Sequence, residues 1–142
     1  ICWTEHPDPG VRYFSGIAEY STTFDVPQDW LKRVPEPAID LGDLWAVAEV
    51  SLNGDTLGIA WKRPFRLPAS NSLRVGRNEL RVRVANNWVN RLVGDALYPA
   101  RRYTRTNVTT TGVPAKPWAE VEPRRSGLFG PVRLVSSRGE SN

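Results

Sequence analysis

The chain has 142 residues, 40% hydrophobic and 24% charged, the balance of an ordinary globular domain rather than of a disordered segment. This length suits one domain and falls short of the roughly 250 residues of a (β/α)8 barrel, and no apolar run reaches the roughly 18 residues of a membrane span. Cys2 is the only cysteine, so no internal disulfide is available, and the net charge of +4 rests on 16 Arg against three Lys.

Six Trp accompany 12 Pro and 11 Gly, and methionine is absent. Many short strands joined by turns would use that mixture. Without a starting Met or a leader pattern, the chain reads as a domain from a longer protein, with residues 1–15 as a leading segment.

The clearest strand signal spans residues 16–26, where Ala18, Tyr20, Thr22, Phe24 and Val26 alternate with Glu19, Ser21, Thr23 and Asp25. One face is expected to be buried and one wet. A short apolar piece, 38–41, precedes a strand over 45–52. Asn53-Gly54-Asp55 then supplies residues that tolerate positive φ, as a tight hairpin requires before the return over 56–61. Residues 64–68 form a short piece bounded by prolines. After a turn at 75–78, Leu80, Val82 and Val84 alternate inward against Arg81 and Arg83. The pattern is lost over 86–103, which reads as a long loop with at most one helical turn. Residues 104–111 are rich in β-branched side chains and suit a strand, 113–126 is irregular, and 131–135 closes as a last strand. A polar tail follows at 137–142. No stretch of ten residues shows a helical period. The expectation is all-β: an antiparallel jelly-roll sandwich of about eight strands over 16–136.

The segments GIAEYSTTF (16–24), AEVSLNG (48–54) with LG (57–58), WKRPF (61–65), GRNEL (76–80), NWVNRLVGD (87–95) and SGLFGPV (126–132) form a recognisable string. It resembles the galactose-binding-like sandwich of large bacterial glycoside hydrolases, similar to the sugar-binding domain of family 2 enzymes. It is most similar to the carboxyl-terminal module of enzymes such as the family 106 α-L-rhamnosidases. The resemblance covers 16–135. The stretch around 50–58 is shared across the sugar-binding superfamily, whereas 87–95 and 126–131 belong to the rhamnosidase-like subgroup. It implies an accessory role in a secreted or periplasmic bacterial enzyme whose catalytic carboxylates lie in another domain.

Glycoside hydrolysis needs two carboxylates flanking the scissile bond. Glu49 lies mid-strand, Asp55 in a turn and Asp95 in the long loop, and the expectation is that all three are structural or solvated. His6 and Cys2 sit in the leading segment without partners for nucleophilic or metal chemistry. No cofactor is expected. A structural calcium ion stays open, because Asp25, Asp40 and Asp43 lie near strand ends although no dense acidic loop appears.

Carbohydrate binding makes better use of the aromatic surplus. A pyranose stacks its apolar C–H face on an aromatic ring, and its hydroxyls take Asn, Asp and Arg partners. Two loops offer that mixture: Trp61, Lys62 and Arg63, then Trp88, Asn90, Arg91 and Asp95. Tyr98, Tyr103 and Trp118 can join from the irregular region. For the second loop the plainer reading is that its polar residues tie down the loop itself. Trp3, Trp30 and Trp45 are expected to pack at strand ends. The basic charge suits an acidic polysaccharide; nucleic acid is not expected, since the arginines are dispersed along the chain. The rival reading is a structural domain that packs on a catalytic domain and binds no sugar.

Overall fold

The computed structural model describes residues 2–108, 110–112 and 115–137. Strand β1 (Ile17–Val26) pairs along its whole length with β7 (Gly76–Ala85), and β7 pairs on its other edge with β4 (Val47–Leu52), which pairs with β5 (Asp55–Ala60). All pairings are antiparallel, giving one sheet in the order β1-β7-β4-β5. The second layer is assembled from smaller pieces. Strand β2 (Pro37–Asp40) lies between β6 (Arg66–Pro68) and β11 (Arg133–Ser136), while β3 (Asp43–Trp45) pairs with β10 (Gly127–Gly130). Gly42 bridges to Gly130 and joins the pieces. A Cβ at Gly42 would collide with the Gly130 backbone, so this close approach requires glycine.

Alternation places Ala48, Val50 and Leu52 of β4 and Leu80, Val82 and Val84 of β7 on one buried face. They form one core with Ile39, Leu41, Leu44 and Leu128 of the other layer. The antiparallel β-sandwich expected from the sequence is therefore the fold. At the hairpin, Asn53 and Gly54 both have positive φ, and Asn53 Nδ2 donates to Asn78 Oδ1 at 2.8 Å, tying the turn to the start of β7.

Four local expectations need correction. The strand expected over 45–52 is two strands, parted at Ala46, whose N–H donates to Ala85 O. The turn expected at 75–78 is already strand from Gly76 onward. The strand expected over 104–111 shrinks to β8 (Thr110–Thr111), paired with β9 (Lys116–Pro117), and Thr109 lies outside the described residues. The long loop over 86–103 contains a nine-residue helix, Val89–Leu97, whose Val89, Leu92 and Val93 bury against Tyr13 and Trp118 as a second small core. With these short pairs included, the described residues hold eleven strands against the eight expected.

The leading segment packs onto the sandwich where it is described. It contains α1 (Pro9–Arg12), capped by Asp8 Oδ1, which accepts the Gly10 N–H at 2.7 Å. Trp3 is buried, donates its indole N–H to Tyr20 Oη at 2.6 Å and meets Phe14 edge-on at 5.5 Å. A second short helix, α2 (Gln28–Arg33), rests Trp30 and Leu31 on the core; Val89–Leu97 is thus α3. Residues 138–142 of the expected tail lie outside the described residues.

Register decides what can meet at one end of the large sheet. β1 begins and β7 ends at the Ile17–Ala85 pair, β4 begins at Val47 opposite Ala85, and β5 ends at Ala60 opposite Ala48. Residues 15–16, 45–46, 61–63 and 86–88 therefore all leave the sheet at the same end.

Candidate binding clefts

Helix α3 builds the first cleft, about 540 Å³ in volume, between itself and α1. Tyr13, at the C-terminus of α1, meets Tyr98, at the C-terminus of α3, with ring centroids 5.8 Å apart. Arg91 projects from α3 with its guanidinium 4.8 Å from the centroid of Tyr103. Arg101 and Tyr103 complete one wall, and Asp8, Pro9 and Gly10 form the other.

Asp95, one turn after Arg91, sets this geometry. Its Oδ1 accepts the Tyr103 N–H at 3.1 Å, and its Oδ2 accepts the Thr104 N–H at 2.7 Å and the Thr104 hydroxyl at 2.6 Å. Arg91 Nε stands 2.9 Å from Asp95 Oδ1, an ion-pair distance, but its N–H is not aimed at the oxygen and forms no hydrogen bond. The attraction is one of charge, and the buried Nε–H has no hydrogen-bond partner among the described residues. Burial pushes the Asp95 carboxyl up, but the hydrogen bonds from Thr104 and Tyr103 and the charge of Arg91 together hold it below the ordinary carboxylate range.

The ten side chains singled out in the sequence fall into three groups. Arg91, Tyr98 and Tyr103 line the tyrosine cleft, and Asp95 fastens it from behind. Asn90 is buried and points away from solvent: its Nδ2 donates to Arg124 O and Ser126 Oγ, and its Oδ1 accepts the Arg124 N–H. Trp118 is only 7% exposed, and its indole N–H donates to Val108 O at 2.7 Å, so the expectation of a sugar-accessible ring there is corrected. It packs under α3, a helix the alternation analysis did not anticipate. Trp61, Lys62 and Arg63 are exposed, with Lys62 Nζ 5.3 Å from the Trp61 ring, and Trp88 is also exposed.

Arg63 lines a second cleft, about 420 Å³, together with Asp43, Trp45, Arg124, Arg125 and Phe129. Trp45, expected to pack at a strand end, is 43% exposed there. Tyr13, Trp45, Arg125 and Phe129 were not legible as site residues, because each acquires its neighbours only through pairings between distant segments.

Of the carboxylates weighed for other chemistry, Glu49, Asp40 and Asp43 have protein partners, as Asp95 does. Glu49 pairs with Arg83 at 2.9 Å on the outer sheet face. Asp40 accepts from the Gly42 N–H and Arg66 Nε. Asp43 faces two arginines. Among the described residues no three His, Cys, Asp or Glu side chains group as metal ligands, and no helix is long and apolar enough to cross a membrane.

The chain is similar to small parts of much larger glycoside hydrolases. A rhamnosidase structure from Novosphingobium sp. PP1Y matches with a TM-score of 0.79 and 43% identity, over 93% of this chain and 12% of that one. A Formosa agariphila protein bearing the name beta-glucuronidase is 37% identical over 93% of this chain and 13% of its own length. A beta-glucuronidase structure from an uncultured Clostridium sp. matches with a TM-score of 0.53 and 26% identity, over 59% of this chain and 15% of that one. No family model matches the chain. The chain thus spans about an eighth of the length of the first two relatives.

Proposed function

We propose that this chain is a non-catalytic accessory module of a bacterial glycoside hydrolase of rhamnosidase type, located at the enzyme's carboxyl-terminal end, and that it binds a plant cell-wall or rhamnose-containing glycan. The observation that carries the reading is the tyrosine cleft. Tyr98 and Tyr103 supply faces for pyranose C–H groups beside buried Tyr13, and Arg91 and Arg101 supply donors for hydroxyls. Its volume is of the size that holds one or two sugar units. Weak binding there raises the substrate concentration seen by a tethered active site, which suits an enzyme acting on a polymer outside the cytoplasm. The similarity to a rhamnosidase supports the choice of sugar.

Isothermal titration of the chain with rhamnogalacturonan oligosaccharides tests the reading. Saturable binding that disappears in Tyr98→Ala and Tyr103→Ala, both partly or largely exposed and so tolerant of truncation, supports it. Absence of heat with every cell-wall glycan overturns it.

A second reading rests on a different observation. Ile59 and Trp61 stand exposed on the outer face of β5 and just beyond it, and Ile17 and Trp88 are exposed at the same end of the sheet. Such an apolar rim suits packing against a catalytic domain without any sugar. Under that reading the catalytic portion of the parent enzyme, added separately, binds the chain, and Trp61→Ala weakens the association while glycans bind nowhere.

A further inference from the structure

We infer that the second cleft is a separate subsite for an anionic sugar, one whose ring carries a carboxylate or a sulfate ester. The inference rests on the proposed reading only in taking a sugar as the ligand; its residues are different. β3 and β10 bring together segments more than eighty positions apart, with Trp45 opposite Gly127 and Leu44 opposite Leu128. Glycine offers no side chain across from the indole, and Trp45 stays 43% exposed in the cleft wall.

The charges are unbalanced. Asp43 Oδ1 meets Arg63 Nη2 at 2.5 Å, and Asp43 Oδ2 meets Arg125 Nη1 at 3.0 Å. One carboxylate therefore answers two guanidiniums, and Arg124 adds a third in the same wall. The cleft carries a formal excess of two positive charges. Both arginines of the pair are largely exposed, and such pairs contribute little, so a ligand anion can take up their remaining donors.

The site is also held in place. The Arg125 guanidinium lies 3.6 Å from the centroid of Phe129, which fixes its plane. The Arg124 backbone is bonded through both its N–H and its C=O to buried Asn90. Planar guanidinium forks suit the two or three oxygens of a carboxylate or sulfate. An exposed indole beside them adds a platform for the ring that bears the anion. A bare inorganic anion would use the arginines and leave Trp45 untouched.

The test is a titration of the 15N-labelled chain with trigalacturonate, with its neutral methyl ester, and with a sulfated galactose disaccharide. The Trp45 indole N–H signal, assigned through Trp45→Phe, reports on this cleft, and the amides of Tyr98 and Tyr103 report on the other. The expected result is a saturable shift of the Trp45 signal with one or both charged sugars and none with the ester. The charged probe that responds identifies the anion. Arg63→Gln with Arg125→Gln weakens that response about tenfold or more, since two charge-assisted contacts are lost, while the amides around Tyr98 keep their positions as evidence of an intact fold. Equal shifts of Trp45 with ester and acid, or no shift with either charged sugar, overturn the inference. A Trp45 response without any tyrosine-cleft response to neutral glycans leaves this subsite standing and removes the proposed site; the reverse outcome does the opposite.

Discussion

Asn90 and Arg124 are bonded to each other twice: Asn90 Nδ2 donates to Arg124 O at 2.8 Å, and the Arg124 N–H donates to Asn90 Oδ1 at 2.7 Å. A side-chain amide thereby substitutes for a strand neighbour and joins α3, which builds the tyrosine cleft, to the segment that carries the arginine cleft. Ser126 Oγ accepts a further bond from the same Nδ2 at 3.0 Å. Replacement by alanine takes the partner from the part-buried Arg124 N–H, while the Arg124 carbonyl keeps the Ser126 hydroxyl as a donor at 2.9 Å. Asn90→Ala is expected to cost about 2–3 kcal/mol of stability, as for buried polar groups left unsatisfied, read as a lower urea midpoint. Asn90→Leu, which fills the volume but restores no bond, should do no better. Recovery in the leucine variant would show that packing, and not the reciprocal bond, is what matters.

Acid sensitivity follows from Asp95 and Asp40. At Asp40, burial pushes the carboxyl up, but the Gly42 N–H and the hydrogen bond and charge of Arg66, with Arg133 more distant, bring it below its usual value. Both groups thus have a lower pKa folded than unfolded, so over the acid range the unfolded chain binds more protons. Their stabilisation is complete above the ordinary carboxylate pKa of about 4 and is lost as pH falls through the lowered values. Stability is therefore expected to be flat near neutrality and to decline below about pH 4. Urea midpoints measured from neutral pH into acid check this. Asp95→Asn should flatten the acid decline while lowering the neutral plateau, and a variant with an unchanged acid slope would remove Asp95 from the explanation.

How much of this was legible depends on whether a residue's partners are local. The alternation in β1 and β7 and the Asn53-Gly54 turn were readable because each is decided by neighbours two positions away or by one residue's φ preference. Helix α3 does carry a helical signature, since Val89, Leu92, Val93 and Ala96 fall at i, i+3, i+4 and i+7. It is hidden because the segment is only nine residues long, contains Gly94, and buries two polar residues, Asn90 and Asp95, that read as sugar contacts or loop ties rather than as the buried face of a helix. Their partners, Arg124, Ser126, Tyr103 and Thr104, appear only in three dimensions. Trp45 is a similar case: alternation says which face a strand residue takes, but not that Gly127 stands opposite and leaves the ring uncovered.

Gly94 gives a sharp test of how closely the tyrosine cleft is assembled. A Cβ there would sit 2.5 Å from Tyr13 Cβ and also collide with the Arg91 guanidinium. The arginine can swing aside, but Tyr13 is buried and held at the end of α1. Ordinarily Gly→Ala in a helix is favourable by roughly 1 kcal/mol. Here Gly94→Ala is expected to destabilise by about 1–3 kcal/mol through overpacking and to reduce glycan affinity. Calorimetric melting of the variant decides the sign, and a rise in Tm would mean that α1 and α3 are less tightly apposed than they appear.

The tryptophans divide by burial, and substitution should divide them the same way. Trp118 packs with Tyr13, Val89, Leu92 and Val93, and its N–H is bonded to Val108 O. Trp118→Ala removes a large buried ring and a hydrogen bond together, and is expected to cost about 3–5 kcal/mol, with α3 losing protection in amide hydrogen exchange. Trp61 is 67% exposed, with Lys62 Nζ 5.3 Å from its ring. Trp61→Ala should change stability by no more than about 0.5 kcal/mol. Any loss of glycan or partner binding in that variant can then be attributed to the surface itself, because the fold beneath it is unchanged. A large destabilisation by Trp61→Ala would instead place that ring in the structural inventory beside Trp3 and Trp118.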